Sequence, residues 1–262
     1  AENIRELNDV EISEDGYVHD EKLLAGYLDS NTGIRHTTFT YREMNGKDEE
    51  AINKSDIRAN GAKLVNVLVE RCVSEIGTLT KKELGTKKWG EVIRNLYGGD
   101  LDYIVLKIRE ISKGKEVTFE HKCPECKTKL KTIVETDEFG ITPFGGLDTV
   151  SFDLPRGYRD RHNEYHNTGT IRLMNGFDRE IVFPLFRKNS ATATTMLLTR
   201  LVTFDDGTPV LNDRVSEMSL RDREYLEELI KDTTFGIDTS TDITCSVCGA
   251  DISGEVGTSN FF

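Results

Sequence analysis

The sequence predicts an α+β fold built from two tandem copies of one module. Three blocks of residues recur in the same order in both halves of the chain, and the last block ends each time in a Cys-x-x-C pair. The pairs occupy residues 123–126 and 245–248. A repeated order of blocks indicates an internal duplication. Each copy is therefore expected to contain a β segment, two helices and a β-hairpin that presents two cysteines.

The repeat is clearest over the residues that precede the two cysteine pairs. Residues 96–126 align with residues 218–248 without a gap, and residues 36–48 align with residues 166–178. Between these blocks, Leu68, Arg71 and Val73 align with Leu197, Arg200 and Val202. We therefore predict an N-terminal arm (1–35), a first module (36–136), a linker (137–149), a second module (150–253) and a C-terminal tail (254–262).

Local signals place the first elements of the chain. In the acidic N-terminal arm, apolar residues at helical spacing over 23–28 predict a short helix. Alternating Thr, Phe and Tyr side chains over residues 36–42 predict a strand, and the Asn-Gly pair at 45–46 predicts the turn that follows it. A long helix is expected over about residues 55–75, and its buried face would carry Leu64, Leu68, Cys72 and Ile76.

The remainder of each module is expected to be a helix followed by a cysteine hairpin. The basic segment over residues 78–90 is predicted to be a solvated loop. Four aspartates that align in pairs are expected to be helix N-caps: Asp48, Asp100, Asp178 and Asp222. The first cysteine pair is flanked by predicted strands at 115–120 and 127–135.

Module 2 is predicted to have strands at 150–154 and 170–173, a turn at 155–157, helices at 191–202 and 220–231, and a hairpin at 239–252.

Composition and charge argue against several classes of protein. A formal net charge of −12 disfavours a nucleic-acid surface, which needs clustered Lys and Arg. There is no run of 18 apolar residues, so we expect no membrane-spanning helix, and the N-terminus lacks the apolar run of a signal peptide. Common nucleotide-binding and hydrolase motifs are also absent, so we expect no enzyme and no small-molecule substrate. The aligned His36 and His166 are expected to be structural.

The two cysteine pairs have the spacing of half-sites for a structural metal ion. A Cys-x-x-C turn aims two thiolates at one Zn²⁺, and structural zinc usually takes four ligands. Pooling Cys123, Cys126, Cys245 and Cys248 gives one tetrahedral site per chain, shared by the two modules. Closing the long intervening loop costs little more entropy than closing a short one. We favour this shared zinc site.

Two other interpretations of the cysteines remain open at this stage. Each pair could use its own further ligands, such as His121 beside the first pair, although the aligned residue in the second copy is Ile243. A variant of that arrangement is a zinc site formed by cysteine pairs from two copies of the chain. Alternatively, a Cys-x-x-C could be redox-active, which favours a helix N-terminus over a hairpin. The fifth cysteine, Cys72, is expected to be a small buried hydrophobe.

The C-terminal tail ends in two aromatic residues, Phe261 and Phe262. Adjacent phenylalanines on a polar tail would be poorly suited to water. We therefore predict that these two residues form a partner-binding plug that enters another surface.

Four short motifs in the second copy carry a resemblance to a known family. They are Leu-Pro-Arg-Gly at 154–157, Leu-Met-Asn-Gly-Phe-Asp at 173–178, Leu-Arg-Asp-Arg-Glu-Tyr-Leu at 220–226, and Cys-Ser-Val-Cys-Gly at 245–249. Their order resembles that of tail and baseplate proteins of tailed bacteriophages, related to Mu-like tail assembly proteins and T-even baseplate hub proteins. The duplication departs from the single copy associated with that family.

The resemblance implies a structural component of a contractile-tail baseplate, made in the host cytoplasm and located in the virion. It would be a hub or wedge adaptor, with other phage tail or baseplate proteins as its partners and no catalytic role. One alternative is a tail assembly chaperone that is absent from the mature virion. Another is a cytosolic zinc-ribbon binding module or a Cys-x-x-C redox protein.

Overall fold

A four-stranded antiparallel sheet forms the first part of the chain in the computed structural model, which describes residues 12–255 and Phe261. The side chains of Phe119, His121, Thr241, Ser253 and Glu255 lie outside this description. The strands, in spatial order, are β1 (Tyr17–Leu28), β2 (Arg35–Arg42), β3 (Val73–Ile76) and β4 (Leu79–Thr80). Five helices accompany this sheet: α1 (Gly46–Ile52), α2 (Ser55–Arg58), α3 (Gly61–Cys72), α4 (Lys81–Asn95) and α5 (Gly98–Lys113).

Helix α3 lies at the centre of the first hydrophobic core. Its buried residues recur three and four positions apart, as the sequence predicts, so one face of the helix is apolar. Cys72 is 1% exposed at the end of this face, and burial raises the pKa of its thiol to about 12. The core around it includes Leu68, Trp89, Ile104 and Ile108, which are fully buried.

Three of the elements predicted in this half differ in the structure. Residues 23–28 belong to strand β1 because they pair with β2 and because the buried carboxylate of Asp100 accepts their backbone N–H groups. The predicted long helix is divided into α2 and α3 at Asn60, the N-cap of α3, and α3 ends at Cys72 because Val73 is extended and pairs with Tyr41. The basic segment is the first part of helix α4, which Thr80 caps and which is kinked at Gly85, where φ is +69°. The first two differences arise from tertiary contacts, which the local sequence pattern does not show.

The second half contains a three-stranded antiparallel sheet and a second set of helices. Strands β8 (Thr149–Arg159), β9 (Tyr165–Arg172) and β10 (Val202–Phe204) form an antiparallel sheet in the order β10-β9-β8. The predicted turn at 155–157 is an irregularity within the single long strand β8. The helices are α6 (Gly176–Phe186), α7 (Ser190–Leu201), α8 (Asn212–Ser216) and α9 (Leu220–Asp232), and a second hydrophobic core joins them to the sheet.

Two buried aspartates make the same set of bonds in the two halves. Asp48 binds Arg42 and Arg71, with its oxygens 2.7 and 2.8 Å from the nearest guanidinium nitrogens. Asp178 binds Arg172 and Arg200 at 2.6 and 2.7 Å. Burial opposes ionisation of both carboxyl groups, but the arginines and a backbone N–H group lower the pKa of each below its usual value.

The aspartates are not the N-caps that the sequence predicts. Asn45 and Asn175 hold the N-cap positions of α1 and α6, and Asp48 and Asp178 stand three residues later, where each accepts the backbone N–H of its own N-cap asparagine. Asp100 and Asp222 likewise lie in the first turns of α5 and α9, and their N-caps are Tyr97 and Ser219. Asp222 accepts the backbone N–H of Arg156 at 3.0 Å, which ties α9 to β8.

The two halves are joined by backbone hydrogen bonds and a short strand pair. The backbone N–H of Gly98 donates to Met174, and that of Gly176 donates to Leu96. Strand β7 (Gly140–Thr142), within the predicted linker, pairs with β11 (Gly236–Asp238). Within residues 12–255, no helix has both the length and the apolar character needed to cross a bilayer.

Candidate metal centre

Two β-hairpins present the cysteine pairs with the same backbone geometry. The first hairpin consists of β5 (Glu116–Lys122) and β6 (Lys129–Glu135), and the second consists of β12 (Ser240–Thr244) and β13 (Asp251–Glu255). In each, the first cysteine donates its backbone N–H across the turn, from Cys123 to Thr128 and from Cys245 to Ala250. Each turn also needs a positive φ after its second cysteine, at Lys127 (+62°) and Gly249 (+72°).

The four cysteine sulfurs lie together. Cys123 Sγ is 3.7 Å from Cys248 Sγ, and Cys126 Sγ is 3.7 Å from Cys245 Sγ. All four sulfurs lie within 4.8 Å of one another, and all four thiols are free of disulfides. Four sulfurs placed 2.3 Å from a tetrahedral Zn²⁺ would be about 3.8 Å apart. The cluster therefore has nearly the dimensions of a four-thiolate zinc site.

The sulfurs meet in a reciprocal pattern. In the sequence repeat, Cys123 corresponds to Cys245 and Cys126 corresponds to Cys248. The two short sulfur–sulfur distances join the first cysteine of one pair to the second cysteine of the other. Exchanging the two hairpins therefore turns one of these contacts into the other.

Hydrogen bonds set the proton affinities of the thiols. The hydroxyl and backbone N–H of Thr128 lower the pKa of Cys126 to about 6. Backbone N–H groups of Cys248 and Val247 lower the pKa of Cys245. The N–H of Ala250 favours the thiolate of Cys248, but the neighbouring cysteine sulfurs and burial raise its pKa to about 12. A cation at the centre would remove this repulsion and stabilise all four thiolates together.

Among the other residues singled out from the sequence, Phe261 and His36 are both buried. Phe261 is 2% exposed, and its ring stacks on that of Phe139 in the first hydrophobic core, with the ring centroids 6.0 Å apart. It therefore contributes to the core of its own chain and is not a surface plug. Phe262 and the side chain of His121 lie outside the described residues. His36 is buried beside Gly77, consistent with a structural role.

A second cluster of ligand-type side chains was not anticipated. Asp160, Glu164 and His166 place one ligand atom each within 4.8 Å of one another at the tip of the β8–β9 hairpin. Asp206 contacts the same histidine from the turn after β10, with 2.5 Å between Asp206 Oδ2 and His166 Nδ1. The signal in the sequence was the spacing Asp-x-x-x-Glu-x-His over residues 160–166.

Comparison with known proteins identifies one family. The family model described as "T4 bacteriophage base plate protein" matches residues 28–168, more than half of the 262-residue chain. The matched range begins at the end of β1, contains the first cysteine pair and ends within β9. No curated protein sequence and no solved structure matches the chain.

Proposed function

The chain belongs to the T4 bacteriophage base plate protein family, and on that premise we propose that it is a zinc-stapled structural adaptor of a contractile-tail baseplate. The observation that carries this proposal is the meeting of four cysteine sulfurs from hairpins that are far apart in the sequence. The proposed role is mechanical: one ion holds the C-terminal hairpin against the first one.

Zinc is the ion that best fits these ligands. Four thiolates are soft ligands, and a closed tetrahedral set of them is typical of structural zinc or of an iron–sulfur centre. The sulfur–sulfur distances of 3.7 Å support a single ion of the size of Zn²⁺. Both pairs lie on hairpins and not at helix N-termini, the position typical of a redox-active Cys-x-x-C.

The position of the site in the chain explains what an ion would contribute. Cys126 and Cys245 are 119 positions apart, so a bridge between them constrains almost half of the chain. Structural zinc contributes about 10–16 kcal/mol in small domains at neutral pH, enough to hold two segments in a fixed relation. A rigid connection of this kind suits an adaptor that holds neighbouring proteins in a fixed relation.

An internal duplication is part of the proposal. Its support comes from the equivalent bonds of Asp48 and Asp178, the shared hairpin geometry and the reciprocal cysteine contacts. We propose two modules at 36–136 and 150–253, each offering a similar face to neighbouring proteins. The partners would be other phage tail or baseplate proteins, at a hub or a wedge position, and the location would be the virion tail.

Metal analysis of purified variants tests the shared site. After dialysis against metal-free buffer, the wild-type protein is expected to retain about one zinc ion per chain. Cys123→Ser and Cys245→Ser should each lose that ion, because each removes a ligand of the same site, and the double variant should lose no more. Cys72→Ala, which alters the cysteine in the helical core, serves as the control and should keep its zinc.

Two outcomes would contradict this proposal. If each single variant lost one of two ions and the double variant lost both, the cysteine pairs would be separate sites. Mass spectrometry of purified particles tests the location, since a structural component must be present in mature virions. Presence during assembly but absence from finished particles would identify an assembly chaperone.

A further inference from the structure

The tip of the β8–β9 hairpin carries a histidine whose surroundings favour ligation of a metal. The side chain of His166 is 10% exposed and packs beside Tyr158 and Phe204. Its Nε2 atom is buried and makes no hydrogen bond to any residue that the structure describes. A buried imidazole nitrogen without a partner carries a desolvation cost that needs an explanation.

Asp206 determines which nitrogen of His166 carries the proton. Its Oδ2 lies 2.5 Å from His166 Nδ1, and the Thr208 hydroxyl lies 3.2 Å from the same nitrogen. The backbone N–H of Thr208 donates to the other oxygen of Asp206 at 2.9 Å and holds the carboxylate in place, and a carboxylate can only accept a hydrogen bond. In the neutral imidazole, the proton is therefore on Nδ1 and the lone pair is on Nε2.

The Nε2 atom lies near carboxyl groups of the same hairpin. Asp160 Oδ2 lies 3.7 Å from His166 Nε2, and a Glu164 oxygen completes the group within 4.8 Å. Asp160 is held in place because its other oxygen accepts the backbone N–H groups of His162 and Glu164, both at 2.8 Å. Electron-rich atoms that face one another repel unless a cation lies between them.

The equivalent position in the first half lacks this arrangement. His36 aligns with His166, but the backbone N–H of Thr78 approaches its Nδ1 at 3.4 Å, whereas a carboxylate meets His166. In the turn between β1 and β2, the backbone N–H of Asp29 donates to Ile34. The backbone N–H of Asp160 donates to Glu164 in the same way in the turn between β8 and β9. Both halves thus have a histidine whose buried Nε2 makes no hydrogen bond to a described residue, and Glu164 and Asp206 are what distinguish the second half.

We propose that His166, Asp160 and Glu164 bind a divalent first-row transition-metal ion, with Asp206 as the positioning residue that orients the imidazole. The ligands would be His166 Nε2 and one oxygen from each carboxylate, and water would fill the remaining positions. Two bonds of about 2.0–2.1 Å at a tetrahedral angle span about 3.4 Å, so the 3.7 Å between His166 Nε2 and Asp160 Oδ2 needs only a small contraction. A carboxylate bonded to the far nitrogen of a metal-binding histidine is a common supporting arrangement.

This site is separate from the cysteine centre and can be tested independently of it. Zn²⁺ is titrated by calorimetry into protein whose cysteine site is already loaded, and the titration is repeated with Mn²⁺, which prefers carboxylate and imidazole to thiolate ligands. The wild-type protein should bind one further ion. Glu164→Gln and His166→Ala should weaken that event at least tenfold, and Asp206→Asn should weaken it about 10–100-fold.

Two controls separate a loss of ligands from a loss of folding or of the other site. His162→Ala changes an exposed histidine in the same turn and should bind like the wild type. Cys123→Ser should retain the event even after it has lost the cysteine-bound zinc. If no further ion binds, or if His166→Ala titrates like the wild type, then His166, Asp160 and Asp206 form a structural group of polar contacts and not a metal site.

Discussion

At the scale of single residues, the most informative groups are the buried aspartates that bind two arginines. Asp48 and Asp178 have fully buried side chains, and each holds a strand, a helix start and the end of a second helix in one bonded group. A buried charge of this kind is tolerated only while its partners remain, because an unpaired carboxylate in the interior is costly. The repeated Met-Asn-Gly-x-Asp segment is therefore a structural signature.

The pKa shift of Asp178 predicts a pH-dependent contribution to stability. Its folded-state pKa lies below the usual 3.8, so its stabilising effect is complete above that value and is lost as the pH falls through the folded-state pKa. Asp178→Asn should lower the free energy of unfolding by about 3–5 kcal/mol at pH 7. In urea titrations from pH 7 to pH 3, the gap between variant and wild type should narrow towards low pH.

Glu217→Gln is the matched control, because Glu217 is an exposed carboxylate paired with Arg214. Such a surface pair contributes about 0–1 kcal/mol, so this variant should differ little from the wild type at any pH. A difference for Asp178→Asn that did not depend on pH would contradict the assignment.

At the scale of elements, helix α5 packs closely against the second half of the chain. Gly99 lies in its first turn, and a Cβ atom there would be 2.4 Å from the carbonyl oxygen of Phe235. Phe235 leads into strand β11 and belongs to a small apolar cluster with Ala25 and Leu173. The close approach of two backbones, not a positive φ, is what requires glycine at position 99.

Gly99→Ala should therefore destabilise the protein. The added methyl group must displace backbone, and overpacking of this kind costs about 1–3 kcal/mol. Urea denaturation measures the change. Gly46→Ala is the matched control, since Gly46 also begins a helix but no atom lies within 4 Å of its added Cβ. It should be neutral or stabilising by up to about 1 kcal/mol. Equal destabilisation by the two substitutions would show that packing against Phe235 is unimportant.

At the scale of the whole molecule, the two hydrophobic cores and the cysteine hairpins are stabilised by different interactions. The cores contain the large buried side chains, while the strands β5 and β6 of the first hairpin bury only Val117 and Val134 among their described hydrophobic residues. Since the hairpins bury so little apolar surface, an ion at the four sulfurs would be their main constraint.

Removal of the metal should therefore loosen the hairpins before the cores. After treatment with a strong chelator, amide hydrogen exchange should become faster over residues 116–135 and 240–255, while strands β1–β3 and helix α3 keep their protection. Uniform acceleration across the chain would mean that the ion stabilises the entire fold. No acceleration would mean that the hairpins are stable without it.

The sequence by itself determined the elements that depend on local patterns and the chemistry that depends on residue type. The helical face of α3, the helices α7 and α9, both cysteine hairpins and the resemblance to baseplate proteins followed from spacing and motif, and the family match confirms the last of these. The α+β class is also confirmed. These features depend on the residue types and their spacing within short stretches of the sequence.

The tertiary structure decided the features that depend on distant partners. Residues 23–28 form a strand because β2 and Asp100 bind their backbone, and Phe261 is buried because Phe139 lies beneath it. The tertiary structure alone brings the four sulfurs together and places Asp206 against His166. Contacts between groups many residues apart depend on how the whole chain packs, and no local pattern carries that information.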